Sequence, residues 1–291
     1  MHTYSSKKLP KNSVEITVTL PKNDIKVGKD KAFKHLQGEL VVEGFRKGKV
    51  PEAIAQKYLT AETIYQEMMK DVLPNIYDEI VKKEGLKPVM NPKIELLNAK
   101  EGEDWQIKIS VAQKPTITLG DYKAKIKTLK AGKKKEDIWI PGKETPATKD
   151  KKEEDAEKSK MINEVLDTVL KTAKIEVSDL ILEEELNHRL SRLVDDVEKI
   201  GLTVDGYLKS KNLTMETIKA QFKKEIEDTY KLEFILAEIA DVEGIKVEPE
   251  ELNRLFINIK DEKEKQSAMQ NSYYYASILR KQKTLDYLIG L

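Results

Sequence analysis

The chain has 291 residues, 35% of them charged and 39% hydrophobic, and its 52 Lys and Arg against 51 Asp and Glu leave a net charge of +1. That length accommodates about two domains of ordinary size, and the charge balance excludes a general nucleic-acid coat, so any RNA contact must come from a local cluster of cations. Cysteine is absent, which excludes a disulfide framework, a thiol nucleophile and a thiolate metal site. With no apolar core of signal-peptide length near the N-terminus and no run approaching the ~20 apolar residues of a membrane span, the sequence predicts a soluble, unexported protein suited to the cytoplasm.

Val14-Glu15-Ile16-Thr17-Val18-Thr19-Leu20 alternates apolar and polar residues and reads as a half-buried strand ended by Pro21. Ala32, Phe33, Leu36 and Leu40 then recur at helical spacing. After Pro51, Ile64, Met68, Val72, Ile76 and Ile80 fall four apart with Tyr65, Met69, Leu73 and Tyr77 beside them, a wide apolar stripe that predicts a helix. Pro74 lies inside it, which predicts a kink or two abutting helices. Residues 93–97 and 105–112 read as strands joined through a turn-rich segment. The expected first region, residues 1–122, is β-helix-loop-helix-β-β, an α+β domain.

From 123 to 160 the chain is charge-rich and poor in hydrophobic residues, and reads as a linker. The isolated Ile138-Trp139-Ile140 within it reads as a docking patch or as a short strand that finishes the preceding sheet, with packing against a neighbouring domain favoured because an exposed Trp is disfavoured. Residues 161–291 are helical in pattern. Met161, Ile162, Val165, Leu166, Val169 and Leu170 mark one amphipathic helix, and Ser178 is an N-cap candidate for the next. Leu182, Leu186, Leu190, Leu193, Val197 and Ile200 alternate spacings of four and three, so this helix should pack along a partner until Gly201. Ile218, Phe222, Ile226, Ile235, Leu236, Ile239 and Val242 indicate a further long helix stopped by Gly244. Tyr273-Tyr274-Tyr275, Ile278, Leu279, Leu285, Tyr287, Leu288 and Ile289 form a last helix with an aromatic cluster.

The segment with most to say about function is Gly44-Phe45-Arg46-Lys47-Gly48-Lys49-Val50-Pro51, set between two helical segments. Gly44 and Gly48 permit positive φ or close approach to another surface, and Pro51 suits the first turn of the next helix. Arg46, Lys47 and Lys49 are thereby held on a short, constrained tip together with Phe45. Arg46 can fork onto phosphate or carboxylate, the lysines act as mobile point charges, and the ring offers a hot-spot contact. On local physics alone such a tip is either a docking element for an anionic partner or a solvated turn.

These eight residues resemble the ribosome-docking signature of the trigger factor family of bacterial chaperones, and the loop's place between two helices is the family's arrangement. The preceding Glu43 departs from the proline or aspartate usual there. Lys174-Ile175-Glu176-Val177-Ser178-Asp179, Gly201-Leu202-Thr203-Val204-Asp205-Gly206-Tyr207-Leu208 and Val242-Glu243-Gly244-Ile245-Lys246-Val247 are similar in order and spacing to the family's helical C-terminal domain. The resemblance implies a ribosome-binding N-terminal domain over 1–122, a charged linker over 123–160 in place of the family's central prolyl isomerase domain, and a helical chaperone domain with arm-like helices over 161–291. It further implies ribosome contact through Gly44, Phe45, Arg46, Lys47, Gly48, Lys49 and Pro51. The expected partners are the ribosome, through protein and rRNA near its tunnel exit, and nascent or unfolded polypeptides, with no membrane, and the expected oligomeric state is a monomer or weak dimer.

Other chemistry is weakly represented. An isomerase needs an apolar, aromatic-lined pocket to lower a barrier of about 18–20 kcal/mol, and residues 123–160 offer only Trp139 with Tyr122 at their edge. His2, His35 and His188 lie far apart, with no pair at metal-ligand spacing, and Glu183, Glu184 and Glu185 read as the wet face of a helix. No phosphate-binding loop is recognisable. The expectation is therefore an ATP-independent, cofactor-free, non-enzymatic chaperone. The rival readings are a retained prolyl isomerase and a ribosome-independent holdase or scaffold.

Overall fold

The computed structural model describes residues 2–136, 151–257 and 261–291. The chain divides into two compact units, one comprising Met1–Lys114 with Ser178–Ile181, the other Pro115–Val177 with Leu182–Leu291.

The first unit is α+β. Strands β1 (Thr3–Leu9) and β2 (Ser13–Leu20) precede helices α1 (Lys22–Glu39), α2 (Glu52–Tyr58) and α3 (Ala61–Glu84), and β3 (Lys93–Asn98) and β4 (Trp105–Ala112) follow. The strands form one antiparallel sheet in the order β1-β2-β4-β3. The alternation in β2 has a counterpart in β4, so that Val14 pairs with Val111, Ile16 with Ile109, Val18 with Ile107 and Leu20 with Trp105. This puts a continuous apolar face on the two central strands, and all eight residues are buried. Helix α3 covers that face through Ile64, Met68, Ile76 and Ile80, and α1 through Ile25 and Ala32. Gly28 sets how closely α1 approaches α3, because a Cβ there would lie 2.8 Å from the Met68 Cγ.

Two expectations change in this unit. The mostly polar β1 carries no alternation of its own and becomes a strand by pairing with β2. Of the two outcomes expected at Pro74, a kink or two abutting helices, the second does not occur, because α3 is one element that runs through the proline. Its start is fixed by Thr60, whose side chain accepts from the Thr63 backbone N–H, and its end by Gly85 at φ 62°.

The second unit is helical among its described residues. Helices α4 (Tyr122–Glu136), α5 (Lys151–Thr172), α6 (Asp179–Lys199), α7 (Val204–Ser210), α8 (Met215–Val242), α9 (Pro249–Ile257), α10 (Glu262–Gln270) and α11 (Ser272–Gly290) follow in order. Its core joins Tyr122 and Ile126 of α4, Val165 and Val169 of α5, Ile235, Leu236 and Ile239 of α8 and Leu288 of α11. The segment expected as linker thus holds helix at both ends, α4 and the beginning of α5. Its apolar stripe, Tyr122, Ile126 and Leu129, is too sparse among lysines to stand out by period. Ile138, Trp139 and Ile140 lie outside the described residues.

Along α6, Leu182 and Val197 are buried, Leu186, Leu190 and Leu193 are half-buried, and Ile200 is exposed before Gly201 turns the chain at φ 74°. The Arg189 guanidinium reaches Glu225 of α8 at 2.6 Å and lies 5.7 Å from the Phe222 ring centre. Ser178 caps α6, its hydroxyl accepting from the Leu180 N–H at 3.2 Å. Helices α9 and α10 have no counterpart in the sequence reading, since nine residues each give too few turns for a clear period. They are placed by contacts such as the edge-to-face pair Phe256 and Tyr275, with ring centres 5.6 Å apart.

Candidate functional site

Helix α1 ends at Leu40, whose N–H still bonds to the Leu36 carbonyl at 2.9 Å, and the chain then makes two successive tight turns. In the first, the Phe45 N–H donates to the Val42 carbonyl at 3.1 Å, and Gly44 sits third in the turn at φ 86°. In the second, the Lys49 N–H donates to the Arg46 carbonyl at 2.9 Å, and Gly48 occupies the same position at φ 77°. Positive φ at the third residue alone is the requirement of a type II turn, which explains both glycines. Gly48 has a second constraint, because a Cβ there would stand 3.2 Å from the Gly38 carbonyl oxygen in the last turn of α1.

The far end of the loop is fastened inward. Val50 is 2% exposed and its carbonyl accepts from Gln37 Nε2 at 2.7 Å. Pro51 stands immediately before α2, at its N-cap, and its carbonyl accepts from the Ile54 and Ala55 N–H groups at 3.0 and 2.9 Å. Between these anchors Phe45 is 38% exposed, and Arg46, Lys47 and Lys49 are exposed and form no ion pair among the described residues. All seven residues singled out in the sequence therefore lie on or beside one doubly turned loop. Val41, 74% exposed at the loop's entry, was not among them. It stands outside the signature, and nothing in the local sequence distinguishes it.

The first unit also carries a groove of about 870 Å³ whose lining includes Tyr65, Met69, Leu73, Ile94, Leu96 and Trp105. It borders β3, which is an edge strand and leaves Ile94, Leu96 and Leu97 exposed. In the second unit, Tyr273 is 89% exposed, with Tyr274 and Ile278 exposed beside it on α11.

Among the described residues, the histidines form separate pairs. Each histidine meets a carboxylate, His2 with Glu79 at 3.7 Å, His35 with Glu67 at 3.0 Å and His188 with Glu184 at 3.9 Å. Among the described residues no group of three or more His, Cys, Asp or Glu could hold a metal ion, and no helix is long and apolar enough to cross a membrane. Glu243 is a strongly perturbed carboxyl, which accepts from Lys123 at 2.7 Å, Tyr287 at 2.6 Å and Tyr122 at 2.7 Å. These donors pull its pKa down to about 2, while burial and the bond to Glu243 push the Tyr122 phenol up. The cluster ties α4 and α11 to the residue just past α8, a fastening that no sequence period signals.

Family models described as bacterial trigger factor protein and as its C-terminus match residues 2–138 and 147–289. The chain belongs to the trigger factor family. The two matches leave only residues 139–146 between them, which is too short for a further domain of ordinary size. Trigger factor of Lactococcus lactis subsp. lactis strain IL1403 is 37% identical over 121 residues, 42% of this chain and 28% of that protein. Trigger factor of Streptococcus pneumoniae strain Hungary19A-6 is 42% identical over 108 residues, 37% of this chain and 25% of that protein. The chain thus spans little more than a quarter of the curated relatives it matches. A solved structure described as concerning promiscuous substrate recognition in folding and assembly activities of the trigger factor chaperone superposes with a TM-score of 0.59, covering 98% of this chain and 99% of that one at 16% identity. That likeness gives the fold, an α+β unit followed by a mostly helical one.

Proposed function

We propose that this trigger factor family chaperone docks on the bacterial ribosome through Gly44, Phe45, Arg46, Lys47, Gly48, Lys49 and Pro51 and shields emerging polypeptide without ATP. The observation that carries the reading is the loop itself. Two type II turns, a buried Val50 anchor and a glycine packed on α1 hold one aromatic ring and three cations, unpaired among the described residues, toward solvent. Binding a polyanion with so few cations should be salt-sensitive but shallow in slope. Shielding calls for scattered apolar surface that a folding chain can outcompete, and the groove at Ile94 and Leu96 and the Tyr273, Tyr274 and Ile278 surface are suited to it. The protein works in the cytoplasm, as a monomer or weak dimer, and has no prolyl isomerase activity.

Co-sedimentation with bacterial ribosomes at low and moderate salt tests this reading, comparing the native chain with Phe45→Ala/Arg46→Ala/Lys47→Ala. The native chain should pellet and the folded triple variant should stay in the supernatant. If neither pellets while both suppress client aggregation, the free holdase is the better account. Acceleration of proline-limited refolding at catalytic concentration would restore the isomerase reading.

A further inference from the structure

The docking loop does not end at its own cations. In the last two turns of α1, Lys31, Lys34 and Gly38 fall at i, i+3 and i+7, one stripe of the helix. Gly38 is where the second turn of the loop rests, its carbonyl oxygen 3.2 Å from where a Gly48 Cβ would be. At 1.5 Å per residue, Lys34 lies about 6 Å and Lys31 about 10 Å along the helix from that contact. Both lysines are exposed and form no ion pair among the described residues, although Asp30 stands four residues before Lys34. The face is thus continuous with Lys47 and Lys49 across a glycine that offers no side chain.

We infer that Lys34 and Lys31 extend the loop into one cationic track that follows the phosphate backbone of ribosomal RNA. The inference rests on the docking reading above. The stripe favours RNA over a protein surface because it presents mobile point charges suited to a run of phosphates, and the exposed apolar residues that flank it, Val27 and Val41, are small side chains of a type under-represented at the hot spots of protein contacts. Phe45 supplies an aromatic anchor at the tip, whereas beside Lys31 and Lys34 the Phe33 ring packs against the core and His35 pairs with Glu67. The two lysines are not equivalent. Lys31 also borders a cleft lined by Asp24, Asp71 and Glu79, whose carboxylates offset its field, whereas Lys34 is absent from that lining. Lys34 is accordingly the stronger contact.

The test is a salt titration of ribosome binding with four chains: native, the loop triple variant, Lys34→Gln and Lys31→Gln/Lys34→Gln. Each phosphate-bound lysine that is removed should make the plot of log K against log salt shallower by about 1. The double variant should therefore lose between one and two such steps, Lys34→Gln alone should account for most of the loss, and Lys34→Arg should recover the native slope. Circular dichroism confirms that these exposed substitutions leave the fold intact. If the native chain binds, the loop variant is released and the lysine variants keep the native slope, the track is refuted and the docking reading stands. Weaker binding at an unchanged slope also overturns it, assigning the lysines to a ribosomal protein instead. Failure of the native chain to bind refutes both.

Discussion

Gly48→Ala probes the loop's geometry most sharply. Its φ of 77° is left-handed, and placing an L-residue there costs roughly 1–2 kcal/mol. The new methyl would also stand 3.2 Å from the Gly38 carbonyl, so the loop must lift from α1 by a few tenths of an ångström. Gly44→Ala meets the same backbone cost at φ 86° but nothing within 4 Å, so the difference between the two variants isolates the contact with α1. Gly38→Ala is the control, because it lies inside α1, where an added Cβ meets nothing within 4 Å. Alanine there should stabilise the helix by about 0.5–1 kcal/mol. Urea denaturation should rank the chains Gly38→Ala, native, Gly44→Ala, Gly48→Ala in falling stability. If docking requires this loop conformation, ribosome affinity of Gly48→Ala should fall about 5–30-fold, the equivalent of that energy. Native affinity and native stability in Gly48→Ala would refute the claim that two glycine-dependent turns hold the tip.

Glu243→Gln should flatten the acid limb of stability. The folded pKa is depressed to about 2, so the contribution is present above the unfolded value of ~4.3 and is lost as pH falls toward the folded value. Screened by solvent, it amounts to about 1–2 kcal/mol, and thermal unfolding followed between those pH values reads it; an identical acid profile in the variant would contradict the assignment. Ile126→Ala, at a fully buried position of α4, should cost about 2–5 kcal/mol, and a loss below about 1 kcal/mol in urea denaturation would mean that α4 is not part of the core. Tyr273→Ser/Tyr274→Ser should leave stability within about 0.5 kcal/mol while weakening suppression of client aggregation, and full activity would remove this surface from the client-binding account.

The central strands and long helices were legible because their apolar residues repeat at clear periods. Val14 to Leu20 alternates without exception, and Ile64 to Ile80 steps by four. The loop's two turns were legible for a different reason, since Gly44 and Gly48 mark them, while its docking reading came from the family resemblance and not from local physics. What escaped depended on partners remote in sequence. Strand β1 forms through its ladder to β2, α4 carries its core residues among lysines, and Glu243 gathers Tyr122 and Lys123 from α4 and Tyr287 from α11. The packing of Gly48 on Gly38, which joins the loop to the α1 lysines, likewise needed coordinates.

Site-specific photo-crosslinking tests the docking and shielding account most directly. One variant carries a photo-reactive phenylalanine analogue in place of Phe45 and another carries it in place of Tyr273, and each is added to ribosomes holding a stalled nascent chain. The account predicts crosslinks from position 45 to ribosomal components near the tunnel exit, and crosslinks from position 273 to the nascent chain that disappear when the loop cations are removed. Capture of polypeptide from position 273 without any ribosomal crosslink from position 45 would contradict it, leaving a chaperone that works away from the ribosome.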